Sequence, residues 1–153
     1  MLIFAAAETA SRSFANTMVL LFEHPDIMDK VRRHRGLIPK AVTETMRFDP
    51  VVGNLARIAA RDMEVCGTVV PARTAVTVSI SAANRDPQVC KPPDELCLER
   101  PMHPVLSFCF GPHIYMGMDI ARIEMEAALD LLLDLPELRL DPDRPSPVIP
   151  GLW

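Results

Sequence analysis

Reactive side chains gather at three places in this sequence. Glu8-Thr9 sets a carboxyl beside a hydroxyl. Glu44 and Arg47 lie three residues apart, the spacing at which a helix face forms an ion pair worth about 0.2–0.5 kcal/mol. The run Phe108-Cys109-Phe110-Gly111-Pro112-His113-Ile114-Tyr115-Met116-Gly117 brings an imidazole and a phenol into one loop. Each grouping alone has an ordinary structural reading: a frequent neighbour pair, a surface ion pair, a turn histidine. Cys66, Cys90, Cys97 and Cys109 add no metal chemistry, because no two are spaced Cys-x-x-Cys and none pairs with a histidine at zinc-site spacing. Dispersed thiols of this kind read as reduced cysteines of a cytoplasmic protein.

The elements that must carry these groups are mostly helical. Residues 2–22 contain no Gly or Pro and are apolar on nearly all sides through Phe4, Ala7, Phe14, Met18, Leu21 and Phe22, as in a helix buried on several faces. His24-Pro25-Asp26 starts a second helix over 25–35, with Lys30, Arg32, Arg33 and Arg35 toward its C-terminal end and Gly36 as its stop. A third spans 39–48, with Ala41, Val42, Thr45 and Met46 inward and Asp49-Pro50 ending it. Alternation through Val76, Val78 and Ile80, with a turn at Cys66-Gly67-Thr68, predicts short strands within 55–80. Residues 84–107 are Pro-rich and irregular. A last helix is expected over 115–135, with Ile120, Ile123, Ala128, Leu131 and Leu135 inward, before an extended tail through Pro136, Pro142, Pro145, Pro147 and Pro150.

A chain of 153 residues is one domain by length. Its hydrophobic fraction of 49% and charged fraction of 24% are ordinary for a globular protein. The net charge of -4 gives no reason to expect nucleic acid or an anionic membrane as partner. No apolar run approaches the ~20 residues a membrane span requires. The opening Met1–Ala7 lacks the basic start of a signal peptide, and Glu8 and Arg12 cut it short. The fold class expected is mainly α with a small β-sheet.

Taken in order, the pieces resemble the cytochrome P-450 monooxygenases. Bacterial members carry an Ala-Gly-x-Glu/Asp-Thr stretch in a long helix, a His-Pro helix start, a Glu-x-x-Arg helix and an Asp-Pro stop. An Arg before the strands, an Asn-Arg-Asp-Pro turn, a Phe-x-x-Gly-x-His-x-Cys-x-Gly haem loop and an Ala-Arg-x-Glu helix follow. The collinear segments here are Ala5-Ala6-Ala7-Glu8-Thr9, His24-Pro25, Glu44-x-x-Arg47, Asp49-Pro50, Arg57, Asn84-Arg85-Asp86-Pro87, the 108–117 run, and Ala121-Arg122-Ile123-Glu124. The match covers nearly all of residues 2–152. It implies the C-terminal portion of that fold, a single truncated domain over 1–153 that begins inside the family's central helix.

By resemblance the cofactor is haem, the redox partner is a ferredoxin-type protein, and the reaction oxidises a small organic substrate with O2. Glu8 and Thr9 match residues of oxygen activation. Arg57 and His113 match residues that neutralise haem propionates, and Phe108 belongs to the haem loop. Glu44 and Arg47 match a structural triad.

The departures are specific. Tyr115 stands where the family has its cysteine thiolate, the iron ligand. A phenol ionises near pKa 10 and a thiol near 8.5, so the phenolate costs about 2 kcal/mol more at neutral pH before a metal helps. Tyrosinate nevertheless ligates haem in catalases. Glu95 falls where the triad expects an arginine, which predicts repulsion with Glu44. Val105 replaces a histidine, with His103 two residues earlier, and Cys109 replaces a glycine. Three expectations follow: a degenerate member without turnover that holds haem weakly, a tyrosinate-ligated haem protein with peroxidase- or catalase-like activity, or a non-catalytic interaction module that forms a homo-oligomer through an exposed face of helix 2–22.

Overall fold

Four helices enclose the core, and the glycine-free opening stretch forms the longest of them, α1 (Leu2–Glu23). The computed structural model describes residues 2–101 and 104–144; the side chain of Phe4, and His103, Pro145, Pro147 and Pro150, lie outside that description. After His24 a proline at the first turn opens α2 (Pro25–Arg33). This helix ends at Arg33, two residues short of the expected end. The His34 amide closes on Lys30 O at 3.0 Å, and Arg35–Leu37 tighten into a 3-10 turn that absorbs Gly36. Arg35 is drawn away by carboxylates, bonding Asp130 Oδ1 at 3.0 Å and Asp134 Oδ1 at 2.7 Å. α3 (Ile38–Phe48) stops as expected, with the Asp49 amide bonded to Thr45 O.

The strands form two small antiparallel pairs. β1 (Asn54–Ile58) runs against β4 (Ala75–Ser79), with Leu55 opposite Val78 and Arg57 opposite Val76. β2 (Met63–Val65) and β3 (Thr68–Val70) form a hairpin whose turn sits at Cys66 and Gly67, with φ of 50° and 77°. Ile80 does not continue β4. It opens a short helix, α4 (Ile80–Asn84), because the Ser79 hydroxyl accepts a hydrogen bond from the Ala82 N–H. The irregular stretch after it is built of turns that lead to α5 (Met118–Leu132).

The core joins Met18 and Leu21 of α1, Met28 and Val31 of α2, Ile38, Ala41, Val42 and Met46 of α3, Leu98, and Met125, Leu129 and Leu133 from α5 and its end. This corrects the expected inner face of the last helix. Ile120 and Ile123 are each 64% exposed, and Leu131 and Leu135 also face outward. α5 carries two apolar stripes, and the one with spacing i, i+4, i+8 (Met125, Leu129, Leu133) is the one that meets the other helices. On α1 the correction is opposite in sense. Met18 and Leu21 are buried and Phe14 and Phe22 half-buried, so no large apolar side chain described on that helix forms an uncovered face. Exposed apolar groups sit elsewhere: before and on α5 (Phe110, Ile114, Met116 and Ile123) and on the strands (Ile58, Val69 and Val78).

α1 and α3 approach closely where the Thr17 and Thr45 hydroxyls lie 2.8 Å apart, both buried. No described helix is long and apolar enough to cross a membrane.

Candidate functional site

Beneath α3 lies a buried ionic cluster. Arg47 grips Glu44 with two bonds, Nε to Oε2 and Nη2 to Oε1, each 2.9 Å. Its remaining donors reach the backbone oxygens of Asn84 at 3.1 Å and of Pro93 and Glu95 at 2.9 Å. Arg100 Nε donates to Glu44 Oε1 at 3.1 Å, and Arg100 Nη2 reaches Pro92 O at 2.7 Å and Glu95 O at 3.0 Å. The Cys97 amide adds a bond to Glu44 Oε1 at 3.0 Å.

The expected repulsion between Glu95 and Glu44 is therefore wrong. Glu95 turns its side chain outward and offers only its carbonyl, while Arg100 supplies the second cation. In an irregular segment, residue count does not predict which side chain points inward, and that is why sequence reasoning missed Arg100. Removing one partner of such a buried pair is strongly destabilising.

The same cluster holds the start of the 108–117 loop. Asn84 Oδ1 accepts from the Leu106 amide at 2.8 Å, Asn84 Nδ2 donates to Ser107 Oγ at 3.0 Å, and Ser107 Oγ donates to Met46 O at 2.8 Å. Arg122 Nη2 bonds Thr43 Oγ1 at 3.1 Å and fixes α5 to α3. Arg85 donates to Phe48 O and lies 4.1 Å over the Phe48 ring. Beside it, burial raises the Asp49 carboxyl above its ordinary value; Arg85 pulls it back and Glu23 pushes it further up.

The loop closes through the Tyr115 amide, which bonds Phe108 O at 3.0 Å. Cys109 has φ 63° and ψ −170°, a conformation left almost entirely to glycine. Beside the loop opens a cleft of about 420 Å³ between α1, the first strand pair and α5. Its walls are largely apolar: Val51, Val52, Leu55, Ile80, Phe108 and Tyr115 among them, with Thr9 and Ser13 from α1. The Phe108 and Tyr115 rings lie nearly parallel, 10° apart with centroids separated by 6.2 Å. A Cβ on Gly117 would stand 2.7 Å from Tyr115 Cζ and 2.8 Å from its hydroxyl oxygen, so the phenol rests directly on that glycine.

The predicted site residues divide. Thr9, Phe108 and Tyr115 line the cleft. Glu8 does not: it is half-buried and pairs with Arg12 at 3.2 Å. Arg57 shares a face of β1 with the cleft residue Leu55, by the two-residue period of a strand; it is exposed, and its Nη1 bonds the neighbouring Ala56 O. His113 is exposed in the 3-10 turn Gly111–His113. Glu44 and Arg47 are in the buried cluster, away from the cleft.

A haem is a flat, mostly apolar disc with carboxylates on its edge. The aliphatic walls of the cleft suit such a disc, while Arg57, one strand period beyond Leu55, does not itself line it. The donor set does not suit a thiolate-bound iron. At the position assigned to the ligand stands a phenol whose ring lies folded on Gly117. The cysteine among the lining residues, Cys109, belongs to a different turn of the loop.

A sequence profile of the family described as Cytochrome P450 matches residues 1–152. The chain is 34% identical over 141 residues to the biotin biosynthesis cytochrome P450 of Bacillus subtilis, covering 92% of this chain and 36% of that protein. It is 41% identical to nocardicin C N-oxygenase of Nocardia uniformis, covering 91% of this chain and 36% of that protein. Among solved structures it is similar to the post-tailoring hydroxylase HmtN involved in himastatin biosynthesis, with a TM-score of 0.90 and 39% identity over 94% of this chain and 39% of that one. The chain thus spans little more than a third of the length of the relatives it matches.

Proposed function

This chain belongs to the cytochrome P450 family, and on that premise we propose that it keeps the part of the family's scaffold it spans, with its cleft, without haem-thiolate oxygen chemistry. The observation that carries this reading is Tyr115. The resemblance puts the iron's sulfur at this residue, and the side chain here is a phenol packed against Gly117 and beside Phe108. Without a thiolate the strong electron push toward O–O cleavage is lost. The engagement of Glu8 points the same way, since its carboxyl is paired with Arg12 and does not line the cleft that Thr9 lines. What the chain retains is architecture: a complete buried ionic cluster and a largely apolar recess.

The test is the absorption spectrum of the protein with added haem, reduced under carbon monoxide. The expected result is the absence of the thiolate band from which the family takes its name. Appearance of that band overturns the proposal. A tyrosinate-type Soret band in the oxidised sample would replace it with the reading of a phenolate-ligated haem protein.

A further inference from the structure

We infer that the Tyr115 ring is the cleft's own occupant: stacked beside Phe108 and seated on the bare Cα of Gly117, it fills space a planar ligand would need, so the cleft admits a porphyrin only when that ring leaves. The inference rests on the reading of this cleft given above, but it concerns volume and not iron ligation. Three observations meet here. Tyr115, Phe108 and Gly117 all line the same cleft. The two rings are parallel, the arrangement in which aromatic pairs attract. Gly117 has φ −84° and ψ 6°, which an alanine adopts without strain, so the glycine is not required by the backbone. The Tyr115 ring is the group that a side chain at 117 would strike.

Metal-free protoporphyrin IX is the probe, because with no iron its affinity owes nothing to an axial ligand. Its fluorescence is titrated against the wild-type chain, Tyr115→Ala and Tyr115→Phe, each checked by circular dichroism for an unchanged fold. Tyr115→Ala is expected to bind up to about tenfold tighter than wild type, the upper end of what a stacked aromatic pair is worth. Tyr115→Phe, which keeps the ring, is expected to stay within about threefold of wild type. Equal affinity of Tyr115→Ala and wild type overturns the inference, and so does a Tyr115→Phe that binds as tightly as Tyr115→Ala.

A second measurement does not depend on Tyr115→Ala folding. Tyr115 is the one tyrosine in the sequence, so 3-fluorotyrosine labelling gives a single fluorine resonance. In the ligand-free Gly117→Ala variant that resonance is expected to move to the position of a solvent-exposed ring. An unmoved resonance shows that the ring does not rest on Gly117 and overturns the inference. The thiolate proposal would survive this failure, since it is read from carbon monoxide spectra of the iron form.

Discussion

The ionic cluster under α3 and the loop that follows it lie side by side and are built on opposite terms. Glu44, Arg47 and Arg100 are buried, and the cluster's bonds run to five further residues, Asn84, Pro92, Pro93, Glu95 and Cys97. Arg100 Nη1 is the one atom of the three side chains left without a partner among the described residues. The loop holds Cys109 in backbone suited to glycine and a phenol in a recess walled by aliphatic groups. Buried charges leave little freedom to change, because the loss of any member strands another. A cleft wall that makes no ionic bond tolerates replacement. The comparison teaches that the fold is secured at the cluster, and that substitution at the loop leaves that security untouched.

The largest expected effect is at Arg47. Arg47→Ala leaves Glu44 with a single cation and removes the donors to the Asn84, Pro93 and Glu95 carbonyls, and is expected to cost about 3–5 kcal/mol in urea unfolding. A loss below about 1 kcal/mol would erase the contrast between the two regions. Glu95→Ala sharpens it from the other side: because only the Glu95 carbonyl is used, the unfolding free energy should change by no more than about 0.5 kcal/mol. Cys109→Gly is expected to stabilise the protein by about 1 kcal/mol, by relieving a backbone conformation that a side chain resists.

The smallest effect concerns Asp49. Its folded-state pKa is raised, chiefly by burial, so the folded chain holds the proton in a window just above the ordinary carboxylate value where the unfolded chain has released it. Stability therefore falls as pH rises through that window. Asp49→Asn should match wild type at strongly acid pH and gain in melting temperature above the window. A difference that does not depend on pH would contradict the assignment.

Much of this was legible in the residues. Asp49-Pro50 ends α3, and Cys66-Gly67 turns the hairpin, because local backbone chemistry decides both. The inward set of α3 follows from one clear stripe. The inward face of α5 was not legible, since Ile120 and Ile123 are as apolar as Met125 and Leu129 and only the neighbours choose between them. Arg100 was hidden for a different reason. Its partner Glu44 lies 56 positions away, and the irregular chain between Asn84 and Leu106 gives no period from which to deduce direction. Thr9, Phe108 and Tyr115 were singled out as a family expectation, whereas the cleft they line and the seat of Tyr115 on Gly117 depend on how distant segments pack.

Thr9, Ser13 and Thr17 follow one another at four-residue steps along α1, so they form a row on one side of the helix. The first two open onto the cleft, and the third is clasped to Thr45 in the interior. Eight residues of helix span about 12 Å, so the azimuth at which Thr9 meets the cleft is set by a pair of hydroxyls well outside it. A methyl in place of either hydroxyl, as in Thr17→Val, is expected to loosen that registration and so to alter the recess from a distance without touching it.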